Sequence, residues 1–298
     1  MNLIVITGPT GVGKTDLSLD IAEQTGLDII NADSRQIYAE IPIGTAAPTP
    51  EQMAQVPHYF VGTHHISDYY SASIYEQDAL KVIEELQTSS SIQLLSGGSM
   101  MYIDAVCNGI DDIPTIDSKT REWMKQRLYA EGLPALVDEL QKLDPEHWEI
   151  VDRNNPRRVV HALEICHMTG KTYTSFRTNS KKQRPFNIVK IGLNIDREAL
   201  YDRINRRVIK MVEQGMVDEA RRMYPMRNLN ALNTVGYKEL FEHFDGITTL
   251  DEAICKIQSN TRRYARKQLT WYKRDEDMTW FSPLQVDEII EHIKMRSK

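Results

Sequence analysis

The run Gly8-Pro9-Thr10-Gly11-Val12-Gly13-Lys14-Thr15 matches the pattern Gly-x4-Gly-Lys-[Ser/Thr]. Residues of these types at this spacing suit phosphate binding. The glycines let successive backbone N–H groups turn inward around phosphate oxygens, and Lys14 can neutralise phosphate charge. The Thr15 hydroxyl can hold Mg²⁺. A helix N-terminus at the end of the loop adds favourable potential for an anion. The pattern needs a strand before it and a helix after it, and the flanking residues supply both. Leu3-Ile4-Val5-Ile6-Thr7 reads as a strand buried on both faces. Residues 14–25 read as a helix stopped by Gly26. The loop indicates a diphosphate or triphosphate and does not by itself specify a nucleotide.

A phosphoryl-transfer enzyme with this loop also carries an Asp at the end of a buried strand, where it holds the Mg²⁺ shell. Here the strand Ile92-Gln93-Leu94-Leu95 runs into Ser96-Gly97-Gly98, so the hydrolysis apparatus is incomplete. The acid well placed behind a core strand is Asp33, after Asp28-Ile29-Ile30-Asn31-Ala32. In a parallel sheet the loops at the carboxyl ends of the strands form the active site, which puts Asp33 on the same edge as Lys14. A carboxylate there can accept a proton. It can equally well cap a local turn or helix.

The elements that must position these groups follow from periodicity. A helix is expected over residues 73–87, opened by the capping-box pattern Ser73-Ile74-Tyr75-Glu76. Strand–helix alternation through residue 98 predicts an α/β fold, a P-loop NTPase-like core with a parallel sheet flanked by helices. From about residue 115 the pattern turns wholly helical, with helices expected over 119–131, 134–143 and 155–168. Residues 175–184 read as a polar, basic linker. A strand over 186–195 and a helix over 197–214, capped by Asp196, return to the α/β pattern. Thr249-Leu250-Asp251-Glu252 opens a further helix that runs past Trp271. The expected organisation is a core made of residues 1–114 and 185–298, interrupted by an all-helical insertion domain, 115–184.

The chain has 298 residues and a formal charge of −6, which excludes a general nucleic-acid coat and requires any such binding to use a local basic patch. One exists. Between residues 260 and 275 lie Arg262, Arg263, Arg266, Lys267, Lys273 and Arg274, with Tyr264, Trp271 and Tyr272 interleaved and Asp275 as the one acid. Basic side chains with aromatics suited to stacking on bases form the footprint of a polyanionic partner. Arg157 and Arg158 form a second patch. Cys107, Cys166 and Cys255 are dispersed, which excludes a disulfide framework or a cysteine-built zinc site. His58, His64 and His65 fit no zinc spacing. No apolar run approaches the roughly 18–20 residues of a membrane helix, and Met1-Asn2-Leu3 lacks the basic start of a signal peptide. The cytosol is the expected location.

Taken in order, the motifs resemble one family, the tRNA dimethylallyltransferases (isopentenyl-diphosphate:tRNA transferases), in their bacterial form. The resembling pieces are the phosphate loop, then Asp33-Ser34-Arg35-Gln36-Ile37-Tyr38, Ile43-Gly44-Thr45-Ala46, Val56-Pro57-His58 and Tyr70-Ser71-Ala72. They continue with Gly97-Gly98-Ser99-Met100-Met101-Tyr102, Asn155-Pro156-Arg157-Arg158, Ala162-Leu163-Glu164, Val235-Gly236-Tyr237 and Lys267-Gln268-Leu269-Thr270-Trp271. The set covers nearly the whole chain.

The resemblance implies transfer of a dimethylallyl group from dimethylallyl diphosphate to the exocyclic N6 amine of the adenosine 3′ of the anticodon. Diphosphate is released and Mg²⁺ is used. It implies that Gly8 to Thr15 hold the substrate's diphosphate rather than that of ATP, with Arg207 in contact and Thr15 on the metal. Asp33 is then the base, Ser99 (Thr in most of the family) a donor to the leaving oxygen, and Arg121 a further catalytic group. Asp33, Ser34, Arg35 and Gln36 would face an extruded base, while Arg157, Arg158, Arg262, Arg266 and Lys267 would contact tRNA. A monomer is expected. The chain departs from the family at Asn154-Asn155, His161 and Met100-Met101, and Met101 is expected to line the prenyl pocket or the core. Two other readings of the residues stand beside this one: a P-loop kinase with Asp33 as base, and a non-enzymatic RNA-binding switch. The long helical insert and the basic C-terminal helix argue against the kinase.

Overall fold

The computed structural model describes residues 1–178 and 181–297. The chain opens with β1 (Asn2–Thr7), α1 (Lys14–Thr25), β2 (Ile29–Asn31), α2 (Pro42–Thr45), α3 (Pro50–Gln55), β3 (His58–Tyr59), α4 (Ala72–Leu86), β4 (Ile92–Gly97) and α5 (Met100–Asn108). Helices α6 (Ser118–Leu143), α7 (Pro145–Ile150) and α8 (Pro156–Thr169) follow. The remainder holds β5 (Asn187–Leu193), α9 (Arg197–Glu213), α10 (Met216–Met223), α11 (Tyr237–Phe244), α12 (Leu250–Tyr272), β6 (Met278–Phe281) and α13 (Val286–Arg296).

The six strands form one parallel sheet in the order β3-β2-β4-β1-β5-β6. Alternate residues of β1 feed two cores: Leu3 and Val5 pack with Ile30, Ala32 and Leu95, while Ile4 and Ile6 pack with Leu17, Ile29, Leu94 and Ile191. All six residues of β1 are buried, and its middle four, Leu3 to Ile6, are accordingly an unbroken apolar run. The chain moves to one side of β1 with β2 and β3 and later to the other with β5 and β6, so β1 marks the switch point where ligands bind. The loops after β1, β2 and β4 share the carboxyl edge there. Thr7 sits opposite Gly97, and Asn31 opposite Ser96. A Cβ on Gly97 would lie 2.2 Å from the Ala32 carbonyl oxygen, so only glycine lets the β2 and β4 loops close together.

The chain divides into two compact units, Met1–Asn108 with Gln183–Lys298, and Gly109–Lys182. The second unit begins six residues before the expected insertion start of 115 and ends two before 184. Its ends are clasped: Asp111 accepts from the Thr178 backbone N–H at 3.0 Å, and Lys182 pairs with Asp112 at 3.0 Å. Arg184, expected in a linker, is instead buried in the first unit on Glu76 at 2.6 Å and on the carbonyls of Ala105 and Val106. Residues 179 and 180 of that expected linker lie outside the described residues. The second unit has its own core of Met124, Leu136, Leu140, Val159 and Leu163. The two helices expected over 119–131 and 134–143 are present as the two halves of α6, separated by a kink at Gly132 (φ 79°, ψ 165°).

Another expectation changes at α4. Ser71, not Ser73, caps the helix by accepting from the Ile74 N–H at 3.2 Å. Glu76 is unavailable for a capping box because it is paired with Arg184.

Candidate active site

The phosphate loop leaves β1 at Gly8 and enters α1 through Gly13, whose φ of 107° is one that side-chain-bearing residues rarely adopt. Lys14, at the first position of α1, donates from Nζ to the carbonyls of Gly8 and Pro9, each at 3.0 Å. Three contacts from two helices, α9 and α12, brace the loop. Arg203 donates to the Val12 carbonyl at 2.9 Å, Arg207 donates to Thr10 Oγ1 at 3.4 Å, and the Thr10 N–H donates to Gln268 Oε1 at 2.9 Å. Arg203 and Arg207 are four residues apart on α9, so both point from one face of that helix.

Asp33 follows β2. Its Oδ1 accepts from the N–H groups of Arg35 at 2.9 Å and Gln36 at 3.4 Å, which makes the next residues a turn around the carboxylate. Among the described residues its Oδ2 makes no hydrogen bond. Ser99 stands behind this turn. Its hydroxyl accepts from the Ser34 N–H at 2.7 Å and donates to Ser34 Oγ at 3.0 Å. The Ser99 proton expected on a leaving oxygen is therefore committed to Ser34 here. Gln36, expected to read a base, spends both hydrogens of its amide on the carbonyls of Thr45 at 3.2 Å and Ala46 at 3.0 Å.

These groups line two cavities. The larger, about 600 Å³, includes Thr10, Gly11, Gly13, Lys14, Thr15 and Asp33 with Arg203, Arg206, Arg207 and Lys210. The smaller, about 320 Å³, runs from Thr10, Asp33, Ser34, Arg35 and Ser99 to a wall that includes Ile204, Val208, Met211, Met216, Val235 and Ile257. Thr10, Asp33, Thr45, Arg207 and Tyr264 border both, so the two meet at Asp33. One cavity is cationic and the other has an apolar end.

The electrostatics are those of a site built for an anion. Burial, and then the neighbouring Arg207 cation, hold the Lys14 ammonium down to about 7, with Asp33 opposing the drop. Burial likewise lowers Arg207, and Asp33 and Asp16 partly restore it. Two desolvated cations thus share the carboxylate of Asp33. Thr15 and Asp16, in the first turn of α1, also line the larger cavity. Among the described residues no cluster of three or more His, Cys, Asp or Glu forms a metal cage. A Mg²⁺ ion there would take Thr15 Oγ1 from the protein and its other ligands from phosphate oxygens and water, as this ion commonly does.

The other expected residues are placed as follows. Arg121, near the start of α6, is exposed, and so are Arg157 and Arg158 in the first turn of α8, all in the second unit. Arg266 and Lys267 are exposed on α12, whereas Arg262 is half-buried and donates to Asn205 Oδ1 at 2.5 Å. Trp271 donates its indole N–H to Asp104 at 2.9 Å and is covered on one side by Arg274, 5.6 Å from the ring centre. Met101, expected in the prenyl pocket or the core, is in neither, at 54% exposed.

Sequence reasoning missed two groups. Gln268 stands inside the Lys267-Gln268-Leu269-Thr270-Trp271 motif, where nothing local indicates a role for it. Glu219 is 1% exposed, and its carboxylate accepts from the N–H groups of Ile43 at 2.9 Å and Gly44 at 2.7 Å and from the Tyr237 hydroxyl at 2.6 Å. It pins α2, whose Thr45 borders both cavities. A helix glutamate carries no local signal for this, since its backbone partners lie 176 and 175 residues earlier in the chain.

A parallel α/β sheet, a phosphate loop with two buried basic side chains and a carboxylate at the same edge define a phosphate-loop protein with a site suited to an anion. The comparisons narrow the class. Residues 36–275 match the model of the IPP transferase family, and the chain belongs to that family. It is 62% identical to tRNA dimethylallyltransferase 1 of Phocaeicola vulgatus, covering 98% of this chain and 97% of that protein. It is 46% identical to the tRNA dimethylallyltransferase of Christiangramia forsetii over 94% of this chain and 92% of that one. Its fold is similar to the full-length tRNA isopentenylpyrophosphate transferase of Bacillus halodurans, with TM-score 0.73 and 36% identity over 99% of this chain and 96% of that one. It is also similar to a eukaryotic dimethylallyltransferase solved acting on tRNA, with TM-score 0.81 and 25% identity over 99% of this chain and 77% of that one. No described helix is long and apolar enough to cross a membrane.

Proposed function

We propose that the chain transfers a dimethylallyl group from dimethylallyl diphosphate to the exocyclic amine of the adenosine 3′ of the anticodon in tRNA, releasing diphosphate. The observation that carries this reading is the meeting of the cationic cavity and the apolar-ended cavity at Asp33. The diphosphate lies among the loop amides, Lys14 and Arg207. The five-carbon chain and the base come together at the shared mouth.

The amine's lone pair is delocalised into the purine ring, so attack must be coupled to proton loss. As the N6–C1 bond forms, the allylic C1–O bond breaks and its electron pair leaves with the diphosphate. Asp33, held by the Arg35 and Gln36 amides, takes the amine proton through its unengaged Oδ2. The charge that develops on the departing diphosphate is met by preorganised donors. The Thr15 hydroxyl would hold Mg²⁺, which when bound would supply further neutralisation of that charge. Ser99 fixes the turn that carries Asp33. The exposed Arg266 and Lys267, with Arg157 and Arg158, supply cations for the RNA backbone.

Purified protein incubated with Mg²⁺, bulk tRNA and dimethylallyl diphosphate should give N6-dimethylallyl adenosine by nucleoside mass analysis. ATP in place of the allyl diphosphate should give no modified nucleoside. Absence of the prenylated nucleoside would refute the reading. ATP turnover without prenyl transfer would favour the kinase.

A further inference from the structure

Gln268 lies on α12 next to the exposed Arg266 and Lys267, yet it is 1% exposed. Its amide makes two hydrogen bonds, both to backbone. Oε1 accepts from the Thr10 N–H at 2.9 Å, and Nε2 donates to the Gly98 carbonyl at 2.7 Å. These partners lie 258 and 170 residues away in the chain. One side chain therefore bridges the loop after β1 to the loop after β4.

Both partners touch the cation cluster. The Thr10 hydroxyl meets Arg207 at 3.4 Å. At Gly98, a Cβ would lie 2.8 Å from Gln268 Nε2 and 3.6 Å from Lys14 Nζ. The Thr10 N–H and the Gly98 carbonyl are strong hydrogen-bonding groups that need partners when water is excluded. Gln268 supplies both from a separate helix.

We propose that Gln268 is a positioning residue for diphosphate binding, a strut that sets the spacing between the phosphate loop and the β4 loop so that Lys14 and Arg207 converge on one anion. The proposal rests on the diphosphate reading above. The outer partners that orient ligand-binding groups are commonly worth about 10–100-fold in affinity, and the strut is expected to fall in that range.

The test is calorimetric titration of the purified full chain with inorganic pyrophosphate and Mg²⁺, with an anticodon stem–loop RNA titrated in parallel. Gln268→Met keeps the volume and removes both hydrogen bonds. It should weaken pyrophosphate about tenfold or more while leaving RNA affinity within about twofold. Gln268→Asn is the second variant should the methionine protein fail to fold. It keeps the amide but is one methylene short of spanning both partners, so it should show the same selective loss. A buried amide with only a packing role would tolerate Asn. Pyrophosphate affinity within twofold of wild type in either folded variant, or equal losses for pyrophosphate and RNA, would overturn the proposal. If the wild-type chain binds no pyrophosphate, the diphosphate reading fails and the proposal fails with it.

Discussion

Lys14 offers the most quantitative test of the site. Its ammonium is held near 7 instead of 10.5 by burial and by Arg207. That drop corresponds to about 5 kcal/mol favouring the neutral amine in the ligand-free site. At pH 8 roughly nine in ten Lys14 side chains are then neutral, and a diphosphate bound beside the amine restores the charge. Binding of dimethylallyl diphosphate at pH 8 should therefore take up close to one proton per site, against almost none from Lys14 at pH 6. The dissociation constant should rise by roughly tenfold per pH unit above about 7.5, until the pKa of the bound state is reached. Titration calorimetry in two buffers of different ionisation enthalpy measures the uptake directly. Lys14→Met removes the titrating group and should leave only the ligand's own ionisation. The same shift acts on stability. Between about 7 and 10.5 the unfolded chain holds this proton and the folded, ligand-free protein does not, so the lysine's contribution to stability rises with pH across that window. Buffer-independent heats at pH 8, with an affinity flat from pH 6 to 9, would refute the argument that the loop lysine waits uncharged for its anion.

Asp33→Ala should nearly abolish prenyl transfer while anticodon stem–loop affinity stays within a few fold; near-normal turnover would remove Asp33 as the base. Lys267→Glu should weaken tRNA binding and flatten its salt dependence, since an exposed phosphate contact is lost; unchanged affinity would take this face of α12 out of the interface. Ser99→Ala should lower turnover by about tenfold, the cost of one hydrogen bond to the Ser34 N–H. A loss of 100-fold or more is the signature of a donor to the leaving oxygen, and it would show that the Ser99 hydroxyl turns from Ser34 to the substrate during reaction.

The parts of the fold legible in the sequence are those where local chemistry and tertiary demand agree. Helix α1 spans Lys14–Thr25 as read, because Gly13 and Gly26 mark its ends with left-handed backbone. Asp196 and Thr249 cap α9 and α12 as expected. The readings failed where a distant partner decided. Glu76 had the spacing of a capping box, but a buried arginine 108 residues later claims it. The edge strand β6 escaped notice because Met278–Phe281 is only four residues long and pairs with β5 alone. The separate helices expected over 119–131 and 134–143 are borne out, since non-helical backbone at Gly132 divides α6 between them.

The site divides along the same line. Lys14, Thr15 and Asp33 were legible because a phosphate loop and a strand-end acid work through backbone geometry that the local sequence encodes. The groups that hold those residues in register were not. Gln268 and Glu219 act on backbone atoms 258 and 176 residues away, and each is an ordinary helix residue in its own neighbourhood. Their placement answers a physical need. Charging Lys14 beside the buried Arg207 is unfavourable until an anion binds, so the loop alone cannot keep the two converged. The bracing must come from elements outside it, and it must use neutral amide or carboxylate-to-backbone contacts that do not cancel the charge kept for the ligand. Arg203 is the exception that fits this logic: it is committed to the Val12 carbonyl, so it braces the loop and adds positive charge at once. The cradle of an anion-binding site is thus encoded in one short motif, and the rigidity that makes it bind is encoded in the distant C-terminal half of the chain.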